Sequence, residues 1–279
     1  MKKGLFIQSN KKQFLGAKLA KYALETRGKA NEHGIPVSIM LVEEIPAYMK
    51  YAGKTYRRGS ESRVHDPRDL QFFTLSRFMP PELMDYEGRA VVIDPDIFAI
   101  HDIAPLFDMD MKGAPIAACT KNNQWDTSVM LLDCEKLHHW SIEAILAALT
   151  NGSQDYSDWM ELRKEKNITE LPRVWNNLDT LTPDTNMLHT TNRITQPWRS
   201  GLAVDFTWNV PPKLFGVIPR FWVTHPSHYQ PHPDKSIEDF FFKLSKDAHE
   251  HGVMSEAEIQ DAIKSKDLRS DFLEKLKSY

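Results

Sequence analysis

The stretch "RAVVIDPDIFAIHDI", Arg89 to Ile103, runs apolar, stops at two aspartates separated by one proline, and then turns apolar again. The run Ala90–Ile93, bounded in this way, reads as a buried strand. Carboxylates at the end of such a strand are costly when unpaired. Asp94 and Asp96, one residue apart, also repel each other unless a cation lies between or beside them. A divalent metal relieves both costs, because Mg²⁺ and Mn²⁺ take carboxylate oxygens and commonly share them with substrate phosphates. The triplet alone also fits a capped strand end followed by a turn.

Upstream, Gly4–Gln8 reads as a first strand. The polar "SNKKQF" follows, then a helix through "LGAKLAKYALETRGKANEHG" that closes at Gly34, then a second strand over Val37–Val42. This order predicts a parallel unit with its polar turn at the carboxyl end of the first strand, where ligands of open α/β sheets sit. The segment "PAYMKYAGKTYRRGSESRVHDPRD" reads as a surface loop near that end, and "LQFFTLSRFM" as a helix stopped by Pro80-Pro81. Further strands are expected at "APIAAC" and "TSVMLLD". A long amphipathic helix is expected from about Glu135 to Leu149, ending at Asn151-Gly152.

Beyond "QPWRSG" the stretch "WNVPPKLFGVIPRFWVTHPSHYQPHPD" is rich in proline and aromatics. From Ser236 the pattern is helical, with a capping box at Ser255 and Glu258. These shifts place a boundary near residue 233, giving a main domain over 1–233 and a helical extension over 234–279. The histidines of "HPSHYQPHP" (His225, His228, His232) lack acidic or cysteine partners and read as surface, and the adjacent His138-His139 read as structural.

At 279 residues the chain accommodates one large α/β domain with an appendage. A net charge of -3 carries no global footprint for nucleic acid. Two cysteines, Cys119 and Cys134, are too few for a disulfide framework and read as reduced core residues. The opening "MKKGLFIQSN" is too short in apolar residues for a signal-peptide core, and no apolar run reaches the roughly 18–20 residues of a membrane span. The expected compartment is the cytoplasm. The lysine-bearing tail "IKSKDLRSDFLEKLKSY" reads as a solvated amphipathic helix, with docking at the inner membrane face or on another subunit as its alternative.

Three blocks in order, over about residues 70–198, resemble glycosyltransferase family 8, and in particular its bacterial branch. They are "FTLSRFMPPELMDYEGRAVVIDPDIFAIHDIAPLF", "TSVMLLDCEKL" and "ELPRVWNNLDTLTPDTNMLHTTNRITQPW". The resemblance implies a GT-A fold: α/β, a Rossmann-like mixed sheet flanked by helices. It also implies a nucleotide-diphosphate sugar, most plausibly a UDP-sugar, lying across the carboxyl ends of the strands. Asp94 and Asp96 match the family's D-x-D, and His189 in "NMLHTT" matches the third metal ligand. Two oxygens and an imidazole suit Mn²⁺ better than a pure oxygen site, with Mg²⁺ as the other ion.

By the same resemblance Arg77 faces the donor nucleotide and sugar. Gln8, Ser9 and Asn10 form the floor for base and ribose, and Asp94 and Trp198 complete the donor set. Asp126 falls where the family places a polar residue beside the transferred sugar, and Asp158 is favoured over Asp155 and Glu170 as the second acidic residue. One departure stands out. Gln196 occupies the position of a lysine that grips the diphosphate, with Arg193 and Arg199 as candidate replacements.

The resulting expectation is a metal-dependent, retaining hexosyltransferase acting on a hydroxyl of a glycan or lipid-linked acceptor. The alternatives are a nucleotidyltransferase, which also holds a metal on a strand-end D-x-D, and a catalytically inactive GT-A-like binding protein.

Overall fold

The computed structural model describes residues 1–67, 69, 72–206 and 225–279. The aromatic series Trp208, Phe215, Phe221 and Trp222 lies outside the described residues. The chain divides into two compact units, Met1–His189 and Thr190–Tyr279.

In chain order the strands are β1 (Lys3–Ser9), β2 (Val37–Leu41), β3 (Thr55–Arg58), β4 (Glu61–Val64), β5 (Arg89–Ile93), β6 (Ile97–Ala99), β7 (Ile116–Lys121), β8 (Gln124–Asp133), β9 (Ile168–Glu170), β10 (Asn177–Leu178) and β11 (Met187–His189). A six-stranded mixed sheet has the order β2-β1-β5-β8-β7-β9. The opening stretch supplies its centre. In β5, residues Ala90 to Ile93 are fully buried, so the strand reads as a continuous apolar run rather than an alternation. β5 pairs in parallel with β1 and antiparallel with β8.

A second, three-stranded sheet, β10-β11-β6, begins directly after the aspartate pair. Gly88 shows how tightly β5 is entered: its φ is +69°, and a Cβ there would stand 2.1 Å from the Lys2 carbonyl oxygen. The expected α/β architecture, a mixed sheet flanked by helices, is therefore present, and both cysteines are buried and free.

Three local expectations are corrected. The stretch 46–69 contains a helix, Pro46–Tyr51, and the hairpin β3–β4. Tyr48, Tyr51 and Tyr56 are buried in the core and give this polar segment its anchors. The helix expected before Pro80 is a 3₁₀ helix over Phe72–Phe78. The long helix expected from Glu135 is a 3₁₀ turn at Cys134–Lys136 followed by a helix that begins only at Ile142. Trp140 interrupts it: its ring is fully buried and its indole N–H donates to Glu165 over 2.8 Å. His138 therefore lies outside any helix and stacks on Tyr86.

The second unit contains the helices Lys235–Glu250, Glu256–Lys264 and Phe272–Ser278, and the first and last of these share an aromatic core of Phe241, Phe242 and Phe272. The Ser255–Glu258 capping box forms as the sequence predicts. Among the described residues no helix is long and apolar enough to cross a membrane.

Candidate active site

The site is made where the large sheet hands over to the small one. β5 ends at Ile93, and the Asp94 amide donates to the Ser128 carbonyl of β8 over 3.1 Å. The Asp94 carbonyl accepts from the Ile97 amide, turning the chain through Pro95 and Asp96 into β6. β6 then pairs antiparallel with β11, and His189 falls opposite Ile97. That register brings His189 beside Asp96, with Nε2 3.5 Å from Oδ1. One ligand atom from each of Asp94, Asp96 and His189 lies within 4.8 Å of the others. Behind the turn, Gly16 of the helix Phe14–Thr26 lets that helix approach closely; a Cβ at Gly16 would lie 3.1 Å from the Pro95 carbonyl oxygen.

The charges around Asp94 are tightly balanced. Burial pushes its carboxyl up to about 6. Arg77 opposes this with a 2.9 Å ion pair from Nη2 to Oδ1, Asp126 adds to the upward shift, and the Gln8 amide donates to the same oxygen. The other Arg77 terminal nitrogen donates to the Thr127 hydroxyl. Arg77 Nε and Gln8 Oε1 are buried and have no hydrogen-bond partner among the described residues. Two orphaned polar atoms on the residues that hold Asp94 are what a polar ligand here would satisfy. His189 is also buried, which drops its imidazole to about 4 against the pull of Asp126, and so keeps it neutral near pH 7. Two carboxylates and a neutral imidazole are a donor set that fits a divalent metal.

A layer behind the triad holds it in place. His189 Nδ1 lies 2.8 Å from Asn176 Oδ1. The Asn176 amide donates to Asp126 Oδ2 at 3.2 Å and to the Ser128 hydroxyl at 3.1 Å. Asp126 Oδ1 accepts from both the amide and the hydroxyl of Ser128. Burial works to raise Asp126, but these Ser128 bonds, with His189 and Arg77, bring it below the ordinary carboxylate value. Asn176 and Ser128 received no role from the sequence. The one signal for Asn176 was the W-N pair at Trp175-Asn176 inside the third block, and Ser128 lay unremarked in the second.

The remaining expected residues lie as follows. Asn10 caps the turn at Lys11–Gln13, and its amide donates to the carbonyls of Pro67 and Asp69. Ser9 is buried and donates to the Asn10 carbonyl. Asp158 closes a capping box with Asp155 at the start of the helix Tyr156–Met160, and it lines a cleft of about 310 Å³ with Gln154, Trp159 and Glu165. In the second unit, the Gln196 amide donates to the Thr190 carbonyl, and Trp198 packs on Phe241. Of the two arginines there, Arg199 is buried in a 2.7 Å ion pair with Asp205, and Arg193 lies over the Phe206 ring.

The family model described as glycosyl transferase family 8 matches residues 31–195, more than half of the chain. The chain belongs to glycosyl transferase family 8. Its six-stranded mixed sheet agrees with the α/β arrangement that the resemblance implies for members of that family. Among solved structures it is similar to GlyE of Streptococcus pneumoniae TIGR4, at 17% identity and a TM-score of 0.49, over 71% of this chain and 56% of GlyE. The match thus spans little more than half of GlyE's length. The galactosyltransferase LgtC, solved with donor and acceptor sugar analogs, matches at 12% identity and a TM-score of 0.48, over 70% of this chain and 89% of its own. Mouse xyloside xylosyltransferase 1 matches at 12% identity and a TM-score of 0.41, over 68% of this chain and 98% of its own. No curated protein sequence matches.

Proposed function

We propose that this chain is a metal-dependent, retaining glycosyltransferase that moves a hexose from a nucleotide-diphosphate sugar, a UDP-sugar, to a hydroxyl of a glycan or glycolipid. One observation supports this most: Asp94, Asp96 and His189 present their ligand atoms together at the carboxyl end of the central strand, backed by a buried Arg77. These three residues would hold a divalent ion, Mn²⁺ by the mixed oxygen and nitrogen donors. Such an ion supplies Lewis-acid stabilisation of a departing diphosphate.

The chain's own residues do the rest. Arg77 favours the ionised form of Asp94 against the cost of burial, through its ion pair to Oδ1. The orphaned Arg77 Nε–H would donate to a donor hydroxyl or phosphate oxygen, and Gln8 Oε1 would accept from a donor hydroxyl.

The test is incubation with a panel of nucleotide sugars and Mn²⁺, with released nucleotide as the readout. Release with one donor supports the proposal. No release together with no metal-dependent nucleotide binding overturns it. Binding without turnover of any donor favours the inactive, GT-A-like binding protein.

A further inference from the structure

The residues behind His189 fix more than its position. A side-chain amide has one donating and one accepting end, and at Asn176 the assignment is forced. Its Nδ2 stands 3.2 Å from a carboxylate oxygen of Asp126, which accepts and does not donate. The amide oxygen therefore faces His189, 2.8 Å from Nδ1. An oxygen there requires the imidazole proton on Nδ1, which leaves the lone pair on Nε2. Nε2 is the nitrogen that faces Asp96, at 3.5 Å. Asp126 is itself pinned, because its other oxygen accepts from both the amide and the hydroxyl of Ser128. Asn176 is fully buried, so no solvent competes for these bonds.

We propose that Asn176, oriented by Asp126, is a positioning residue that selects the His189 tautomer able to coordinate the ion. This rests on the metal reading above and extends it. In the opposite tautomer Nε2 carries a hydrogen, and His189 presents a donor where a ligand is needed. The role of Asp126 is then to set the direction of the amide, with both of its oxygens engaged inside the protein.

The experiment has two arms. In metal-free protein, the His189 tautomer is read by ¹⁵N NMR of the imidazole in the wild type, Asn176→Ala and Asp126→Asn. In parallel, Mn²⁺ affinity is titrated by EPR for the same proteins, for Asn176→Asp, and for the double exchange Asn176→Asp/Asp126→Asn. The wild type should show the proton on Nδ1. Asn176→Ala should lose that preference and bind Mn²⁺ about 10- to 100-fold more weakly, the usual cost of losing a ligand's outer partner. Asn176→Asp sets two carboxylates against each other and should also weaken binding. The double exchange restores one donor and one acceptor between the positions and should recover most of the lost affinity. That rescue decides the matter even if Asn176→Ala folds poorly. An unchanged tautomer and unchanged affinity in Asn176→Ala, or a double exchange no better than Asn176→Asp, overturns the positioning role alone. No Mn²⁺ binding by the wild type overturns the metal reading, and the positioning role with it.

Discussion

His189 Nε2 stands 3.5 Å from Asp96 Oδ1 because β11 runs antiparallel to β6 with His189 opposite Ile97, the residue that follows Asp96. The proposed metal site is thus a consequence of strand register. Shifting β11 by one residue would turn the imidazole to the other face of the small sheet. Asp96→Asn and His189→Ala should each lower Mn²⁺ affinity by more than the roughly 100-fold upper bound for an outer-layer change. Asp96→Asn also relieves repulsion between two neighbouring carboxylates, so its metal-free melting temperature should stay at or above the wild-type value. Isothermal titration with calorimetric melting tests both, and tight Mn²⁺ binding by Asp96→Asn would remove Asp96 from the ligand set.

A buried ion pair behaves differently when one side is removed than when both are. The Arg77 and Asp94 side chains are only 7% and 20% exposed, so Arg77→Ala leaves a carboxylate uncompensated. This should cost about 3–5 kcal/mol of stability. Adding Asp94→Asn should return part of that loss, since an amide is far cheaper to bury than a charge. Urea unfolding of the wild type, the single variant and the double variant measures the cycle. A double variant as unstable as Arg77→Ala would show that the loss is one of packing rather than charge.

The parts of this arrangement legible in the sequence were those with a short-range signal. β5 announced itself as an apolar run ending in Asp94-Pro95-Asp96, and Ser255–Glu258 as a capping box. His189 was found only through resemblance, because its partner strand lies far away in sequence and nothing local marks the register. Asn176 was passed over for a similar reason: its bonds to His189, Asp126 and Ser128 join three strands or their edges. Residues 46–69 misled in the opposite direction. Their charge and turn formers suggested a loop, while Tyr48 and Tyr56 drew the segment onto the core. Burial of a few large rings outweighed local propensity there.

His65 should make stability depend on pH. It is buried and stacks on Tyr56 at 4.4 Å, and burial lowers its imidazole to about 4. The unfolded chain protonates the same group near its ordinary value of about 6.5. Between these values the unfolded state holds more protons, so stability rises with pH across the window and is lost as pH falls through it. His65→Phe keeps a ring against Tyr56 and removes the titration. Its stability should therefore fall less steeply between pH 6.5 and 4.5, by at most about 1.4 kcal/mol per pH unit. Urea midpoints of the two proteins at several pH values give the slopes, and parallel slopes would contradict the assignment.

Gly16 links helix packing to the geometry of the aspartate turn. Glycine inside a helix normally costs up to about 1 kcal/mol relative to alanine, so its presence in Phe14–Thr26 has to be repaid elsewhere. The contact is the Pro95 carbonyl, 3.1 Å from where a Cβ would stand. Alanine there forces a shift of a few tenths of an ångström between the helix and the turn that sets the spacing of Asp94 and Asp96. Valine adds two methyl groups at the same place and stiffens the helix at χ1. Gly16→Ala should leave global stability within about 1 kcal/mol, because the gain in helix propensity offsets the crowding. Its Mn²⁺ affinity should nevertheless fall, and Gly16→Val should lose both affinity and stability. The decisive comparison is the Mn²⁺ dissociation constant against the unfolding midpoint for the two variants. Wild-type affinity in a folded Gly16→Val protein would show that the turn does not depend on the helix behind it.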